Sequence, residues 1–315
     1  MLPLVAYVRR TDWPPHLELI ERLRTALPDV ELAVLADIAP QRLAEVRVAI
    51  VDGPTAEQLA TMPALQLAHS TWAGVETVLP IVPAGVAVAR MVDPQLADTM
   101  AEAVLAWTLY LHRDMPRYAS QQRAATWVPR PLVRTSDRRV GIVGLGMLGT
   151  RAAERLVANG FTVAGWSRSP KAVSGVECFH GDDGLVALLE RSDIIVDLLP
   201  QTSDTIGLLD GDAFTAMPAG ASLINFGRGA TVDDDALLAA LDRRHLDHAV
   251  LDVFIVEPLP PEHRYWAHPH VTVLPHISGP TSPDTAAVIA AANVRRFLAD
   301  GTLPADAIVD PSRGY

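Results

Sequence analysis

The chain has 315 residues, 49% of them hydrophobic, and a formal net charge of −11. That length and apolar content suit about two domains with sizeable cores. The acidic balance argues against nucleic acid or an anionic membrane surface as a partner, so an anionic ligand would need a local cationic site.

Met1 to Val8 alternates like a first strand and lacks the basic n-region and long apolar core of a signal peptide. Trp13-Pro14-Pro15 opens a predicted helix to about Ala26, with Leu17, Ile20, Leu23 and Leu27 at helical spacing. Strands are predicted at Glu31 to Leu35 and Val46 to Val51. A turn at Asp52-Gly53-Pro54-Thr55, a short helix through Leu59 and a strand at Gln66 to Ser70 follow. This alternation predicts a small parallel sheet covered on both faces. Thr71 to Glu76, after a strand end, reads either as a plain connection or as a turn that aims backbone N–H groups at an anion. Beyond a strand at Val86 to Met91 comes a long apolar helix, about Ala97 to Arg113, whose breadth predicts burial between domains or against a second subunit. Arg117 to Ser136 reads as a polar, proline-containing connection. No apolar stretch reaches the ~18 residues of a membrane helix. Cys178 is the sole cysteine, so a cytoplasmic chain without an intrachain disulfide is expected.

Arg139 to Val143 then reads as a buried strand, followed by Gly144, Gly146 and Gly149 in G-x-G-x-x-G spacing. A helix from Thr150 to Ala158, a stop at Asn159-Gly160 and a second strand from Phe161 to Gly165 supply the context of a dinucleotide-binding βαβ unit. Gly144 allows the tight turn, Gly146 lets a pyrophosphate approach the backbone, and Gly149 lets the helix pack on the strand. The helix N-terminus attracts the phosphate charge. Where an NAD site usually has a carboxylate for the ribose hydroxyls, the chain reads Trp166-Ser167-Arg168-Ser169. An Arg between two hydroxyls suits a 2′-phosphate; the plain alternative is a solvated loop with an ordinary surface Arg.

Further on, Leu185 to Leu189 reads as helical and Asp193 to Leu199 as a strand ending at Pro200. Helices at Asp210 to Ala216 and Asp233 to Leu241 flank a strand at Ala221 to Phe226. Strands at Ala249 to Val253 and Val271 to Leu274 and a helix from about Pro283 to Leu298 complete the chain. The tail from Gly301 reads as irregular. Arg228, Glu257 and His276 fall just after successive strands, and strand ends on one sheet edge converge on one crevice. Singly, these are a surface ion-pair Arg, a solvated acid and a core histidine. Jointly they suit reduction of a 2-keto acid: Arg228 to hold carboxylate or carbonyl, His276 to give a proton, Glu257 to orient the imidazole and raise its pKa. No metal ligand set is assigned.

With these residues in hand the chain resembles the D-isomer-specific 2-hydroxyacid dehydrogenase family, and within it the glyoxylate/hydroxypyruvate reductase A type. The matching pieces are Val143 to Gly149, Gly165 to Ser169, Asn225-Phe226-Gly227-Arg228-Gly229, Leu251 to Phe254 with Glu257 to Pro260, Pro275-His276 and the terminal Arg313-Gly314-Tyr315. The resemblance implies an α/β fold of two doubly wound parallel-sheet domains. A Rossmann dinucleotide-binding domain (97–282) would be inserted in a discontinuous, flavodoxin-like substrate domain (1–96 plus 283–315). It makes Arg228, Glu257 and His276 catalytic, and gives substrate binding to Trp72, Ala73, Gly74 and Val75. It places Gly144, Gly146, Met147, Leu148, Gly149, Trp166, Ser167, Arg168, Ser169, Leu199, Pro200, Thr205, Phe226, Gly227, Asp252, Ser278 and Gly279 around the cofactor, with Asp252 on the nicotinamide carboxamide. The implied protein is a homodimeric reductase of small 2-keto acids that prefers NADP(H), with NAD(H) possible. The alternatives are an NAD-linked dehydrogenase of a bulkier D-2-hydroxy acid or a dinucleotide-sensing binding protein. Asp52-Gly53-Pro54 departs from the subgroup, and an acid there would disfavour an anionic substrate group nearby.

Overall fold

The computed structural model describes residues 2–10, 17–311 and 314. Trp13-Pro14-Pro15, and Arg313 and Tyr315 of the terminal tripeptide, lie outside the described residues. The chain divides into two compact units, Met1–Gln95 with Thr281–Tyr315, and Leu96–Pro280.

In chain order the first unit begins with β1 (Leu4–Arg9), α1 (Leu17–Ala26), β2 (Glu31–Val34), β3 (Val48–Asp52), α2 (Ala56–Ala60), β4 (Leu67–Ser70) and β5 (Ala87–Ala89). The long helix α3 (Pro94–His112) carries the chain into the second unit, which continues with α4 (Met115–Arg123), β6 (Arg139–Val143), α5 (Met147–Ala158) and β7 (Thr162–Ser167). Then come β8 (Val176–His180), α6 (Gly181–Leu189), β9 (Ile194–Asp197), α7 (Gly211–Ala216), β10 (Ala221–Asn225), α8 (Asp234–Asp242), β11 (Leu246–Leu251) and β12 (Val271–Val273). α9 (Pro283–Asp300) returns the chain to the first unit.

The first unit's five-stranded sheet runs β2-β1-β3-β4-β5, every pairing parallel. One face packs against α1 and α9, where Leu19, Ile20 and Leu23 meet Ala286, Ala290, Val294 and Phe297. The small alanines let these helices lie close to each other and to the strands. The other face closes over Leu59, Met62, Val75 and Val78. Val309 returns an N–H to the Val88 carbonyl, so the tail seals the edge beyond β5.

The second unit's sheet runs β12-β11-β10-β9-β6-β7-β8, again all parallel, with apolar clusters on both faces. The order reverses between β6 and β9, the place where a doubly wound sheet leaves a crevice at its strand ends. Met100, Ala101, Val104 and Leu111 of α3 are buried in this unit's own core, which accounts for much of that helix's apolar breadth without a second subunit.

Three elements depart from the sequence reading. α4 replaces part of the expected connection; it buries no residue, so no apolar stripe announces it, and Pro116 sits where a first helical turn accepts it. β8 is a half-exposed edge strand with weak alternation. α5 starts at Met147, three residues before the expected start, because the glycine turn is itself the helix entry.

Candidate functional site

The glycine turn sits at the carboxyl end of β6. Gly144 has φ +107°, and a Cβ there would come within 3.1 Å of the Leu198 carbonyl. A Cβ on Gly149 would stand 1.9 Å from the Gly144 oxygen, so that side chain is excluded outright. Gly146 is the N-cap of α5, and a Cβ there would meet nothing within 4 Å among the described residues. A tight turn with an open backbone face at a helix N-terminus fits a dinucleotide pyrophosphate. Beside it, Met147 is exposed and Leu148 half-buried.

The end of β7 needs two corrections. Trp166 is a core residue, its indole N–H donating to the Gly181 carbonyl at 2.7 Å, so its side chain is not offered to a cofactor. Ser167 is buried too and donates to the Ser169 carbonyl at 2.8 Å. Arg168 does have a carboxylate beside it: Nη1 lies 2.9 Å from Oδ2 of Asp204, both side chains well exposed. That acid comes from the loop after β9, 36 positions away, and local reading could not find it.

In that loop Leu199 is buried, and Thr205 donates to the Pro200 carbonyl at 2.6 Å and accepts the Thr202 N–H at 2.8 Å, which fixes the loop's own shape. Asp197, the last residue of β9, is fully enclosed. Its Oδ1 accepts the Leu199 N–H at 2.9 Å and its Oδ2 lies 2.5 Å from the Thr231 hydroxyl. Burial raises its pKa to about 7, although the Thr231 and Leu199 hydrogen bonds pull the other way. Sequence reading passed over Asp197 and Thr231; the signal was an acid inside an apolar strand.

At the end of β10 Phe226 is buried, and a Cβ on Gly227 would meet the Leu199 backbone at 2.6 Å. Asn225 braces the turn, accepting the Gly227 N–H at 3.0 Å and donating to the Arg228 carbonyl at 3.0 Å. Arg228 is half-buried and gives one N–H to the Gly227 carbonyl at 2.8 Å.

The histidine stands after β12 in the left-handed region, at φ +54°. That conformation is costly for a side-chain-bearing residue and persists only where its surroundings enforce it. Asp252, buried after β11, does so: its carboxylate oxygens accept the N–H groups of Ile277 and Ser278, each at 2.8 Å. Asp252 therefore anchors the histidine loop, a task the sequence reading did not assign it. Ser278 is buried, and its hydroxyl has no hydrogen-bond partner among the described residues. Gly279 packs on α3, where a Cβ would meet Met100 at 2.8 Å, so its small size serves helix packing.

His276 Nδ1 lies 2.7 Å from Glu257 Oε2, and Glu257 Oε1 accepts the Phe254 N–H at 2.9 Å. The imidazole is 50% exposed and the carboxylate 35%. The hydrogen bond that the imidazole donates to Glu257 raises the histidine pKa above its ordinary value, against partial burial and the Arg228 charge. Burial pushes Glu257 up, but hydrogen bonds from His276 and the Phe254 amide, with the charges of His276 and Arg228, hold it below the usual carboxylate range. Arg228, Glu257 and His276 thus act on one another electrostatically within one unit.

In the first unit, Trp72 to Val75 follow β4. The Trp72 N–H is taken by Ser70 Oγ at 3.0 Å, and Val75 is buried, so Ala73 and Gly74 carry the half-exposed part of the turn with Trp72. Asp52 corrects an expectation: it is buried and accepts the hydroxyls of Tyr7 at 3.1 Å and Thr71 at 3.4 Å, a carboxylate turned into the fold.

A parallel sheet with this glycine turn, and an arginine and a histidine–glutamate pair on loops at its strand ends, defines a nicotinamide-dependent oxidoreductase. The profile of the D-isomer specific 2-hydroxyacid dehydrogenase family, NAD binding domain, matches residues 105–278, and the chain belongs to that family. It is 38% identical to glyoxylate/hydroxypyruvate reductase A of Serratia proteamaculans over 274 residues, covering 85% of this chain and 87% of that one. Among solved structures, the D-isomer specific 2-hydroxyacid dehydrogenase of Xanthobacter autotrophicus Py2 in complex with NADPH and MES superposes with a TM-score of 0.91. It is 37% identical over 98% of this chain and 99% of that one. The NADPH-dependent glyoxylate/hydroxypyruvate reductase of Sinorhizobium meliloti in complex with NADP and sulfate superposes with a TM-score of 0.90, at 34% identity over 99% of both chains.

Proposed function

We propose that the protein is an NADPH-preferring, homodimeric reductase of small 2-keto acids, glyoxylate and hydroxypyruvate first. The observation that carries the reading is the 2.7 Å pair of His276 and Glu257 on loops of the sheet that bears the glycine turn. A nicotinamide held on that sheet edge would supply the hydride for the keto carbon. With Nδ1 facing Glu257, Nε2 of His276 is the nitrogen that gives a proton to the carbonyl oxygen as charge develops there. Glu257 holds the ring in that orientation and favours its charged form. Arg228 would hold the substrate's carboxylate or carbonyl through its planar fork. Ala73, Gly74 and Val75 are proposed to receive a carboxylate on backbone N–H groups.

The glycine turn, Leu199, Pro200, Phe226 and Gly227 would line the dinucleotide, and Arg168 would read the 2′-phosphate. The Asp204 partner of Arg168 would narrow the preference over NADH, since it occupies the guanidinium that a 2′-phosphate would engage. The homodimer is supported by segment 124–134, where Trp127 is 95% exposed beside exposed Val128 and Leu132, an apolar arm of the kind a partner covers. A steady-state assay of NADPH oxidation with glyoxylate and hydroxypyruvate tests the reading; no turnover with either, at millimolar substrate, would overturn it.

A further inference from the structure

We propose that Asp197 is held as a neutral carboxylic acid that donates its proton to Thr231, which in turn donates to the Arg228 carbonyl, so that Asp197 and Thr231 are positioning residues for that arginine. The inference rests on the reading of Arg228 as the substrate-holding group. Thr231 Oγ1 lies 2.5 Å from Asp197 Oδ2 and 2.6 Å from the Arg228 carbonyl oxygen. A hydroxyl has one proton to give, and an ionised Asp197 and a carbonyl are both acceptors only. With Asp197 ionised, one of these two close approaches sets lone pair against lone pair. With a proton on Oδ2, every group in the chain is satisfied: Asp197 donates to Thr231, Thr231 donates to Arg228, and Oδ1 still accepts the Leu199 N–H at 2.9 Å.

The surroundings agree. Val143 of β6 and Asn225 of β10 flank Asp197 in the sheet. β10 has no titratable side chain; the Arg139 of β6 and Asp193, at the opposite strand ends, pair with each other at 2.7 Å. In the loop after β9, Asp204 is engaged by Arg168. On the turn that bears Thr231, Arg228 is the charged residue. No cation is hydrogen-bonded to the buried carboxyl among the described residues, and burial raises its pKa to about 7. Ionisation near neutrality would claim the Thr231 proton, leave the Arg228 carbonyl without that donor and loosen the turn.

The test compares the wild type with Asp197→Asn, whose amide accepts from Leu199 and donates to Thr231 as the neutral acid does. The wild-type KM for glyoxylate is expected to rise roughly two- to tenfold as pH passes through about 7, the worth of one hydrogen bond. The Asp197→Asn enzyme should keep the low-pH KM throughout. His276 titrates in both proteins, so the ratio of the two KM values isolates Asp197. Infrared difference spectra should show a neutral-acid C=O stretch that fades over the same pH range and is missing in Asp197→Asn. Thr231→Ser should behave as wild type, and Thr231→Val should raise KM at every pH.

A carboxylate already ionised at about pH 5, well above the ordinary aspartate value, would overturn the proposal. So would a KM in Asp197→Asn raised at low pH. A neutral acid whose titration leaves the KM ratio flat would refute its coupling to Arg228. Arg228→Lys leaving glyoxylate KM unchanged would instead refute the underlying reading of that arginine.

Discussion

Asp204 should set how strongly this protein separates NADPH from NADH. Arg168 and Asp204 lie 2.9 Å apart with side chains 50% and 63% exposed. A pair that open contributes about 0–1 kcal/mol. A hydrogen bond from Arg168 to a 2′-phosphate would contribute about 1.5–3 kcal/mol. If the guanidinium must leave Asp204 to reach the phosphate, the difference is about 0.5–3 kcal/mol, or roughly two- to 150-fold in binding. Asp204→Asn should therefore lower the NADPH KM by roughly two- to fivefold, the ceiling set by an exposed pair, with NADH within about twofold of wild type. Arg168→Ala should raise the NADPH KM by roughly tenfold and leave NADH nearly unchanged. Initial rates with saturating glyoxylate, at one fixed ionic strength because exposed charges are screened, give all the constants. A higher NADPH KM in Asp204→Asn would mean that the acid aims the guanidinium and does not compete for it. Equal weakening of both cofactors by Arg168→Ala would refute phosphate reading altogether.

Other outcomes are expected. His276→Ala should lower turnover by roughly 10²–10⁴-fold, the worth of a positioned general acid, with cofactor affinity by fluorescence titration retained. Because Glu257 raises the His276 pKa, reduction by the protonated ring should fall as pH rises through that raised value, and Glu257→Gln should move the fall to lower pH in a kcat profile. The same sign makes the histidine's contribution to stability complete below its unfolded value and lost as pH rises through the folded one, while the contribution of Glu257, whose pKa is lowered, is lost as pH falls through its folded value. Gly149→Ala, whose Cβ meets a backbone oxygen, should cost about 1–3 kcal/mol or more and lower the melting temperature by several degrees. Light scattering at micromolar concentration should give a dimer mass, reduced in Trp127→Asp.

What could be read from the sequence was what its local chemistry constrains. A strand, a glycine turn and a helix in one short run have few other uses, and the strand ends carrying Arg228, Glu257 and His276 were found because apolar runs mark where strands stop. What escaped was set by distance or direction. Asp204 meets Arg168 only through the fold. Asp52 sits at a strand end where its side chain could face either way, and the hydroxyls of Tyr7 and Thr71 decide it. Trp166 reads as part of a polar loop, yet the strand continues through it and both faces of that strand are buried. α4 buries no residue, so periodicity offered no signal.

The return of α9 to the first unit has a consequence for synthesis. One face of the β1–β5 sheet is covered in part by a helix that leaves the ribosome after the whole of the second unit. Until then Val5, Ile50 and Leu67 lack the alanine-rich surface of α9 against which they pack. The second unit is continuous in sequence and can close as soon as β12 emerges, so the first to be translated is the last to be finished. During that interval the nascent N-terminal sheet displays apolar surface of the kind that chaperones hold.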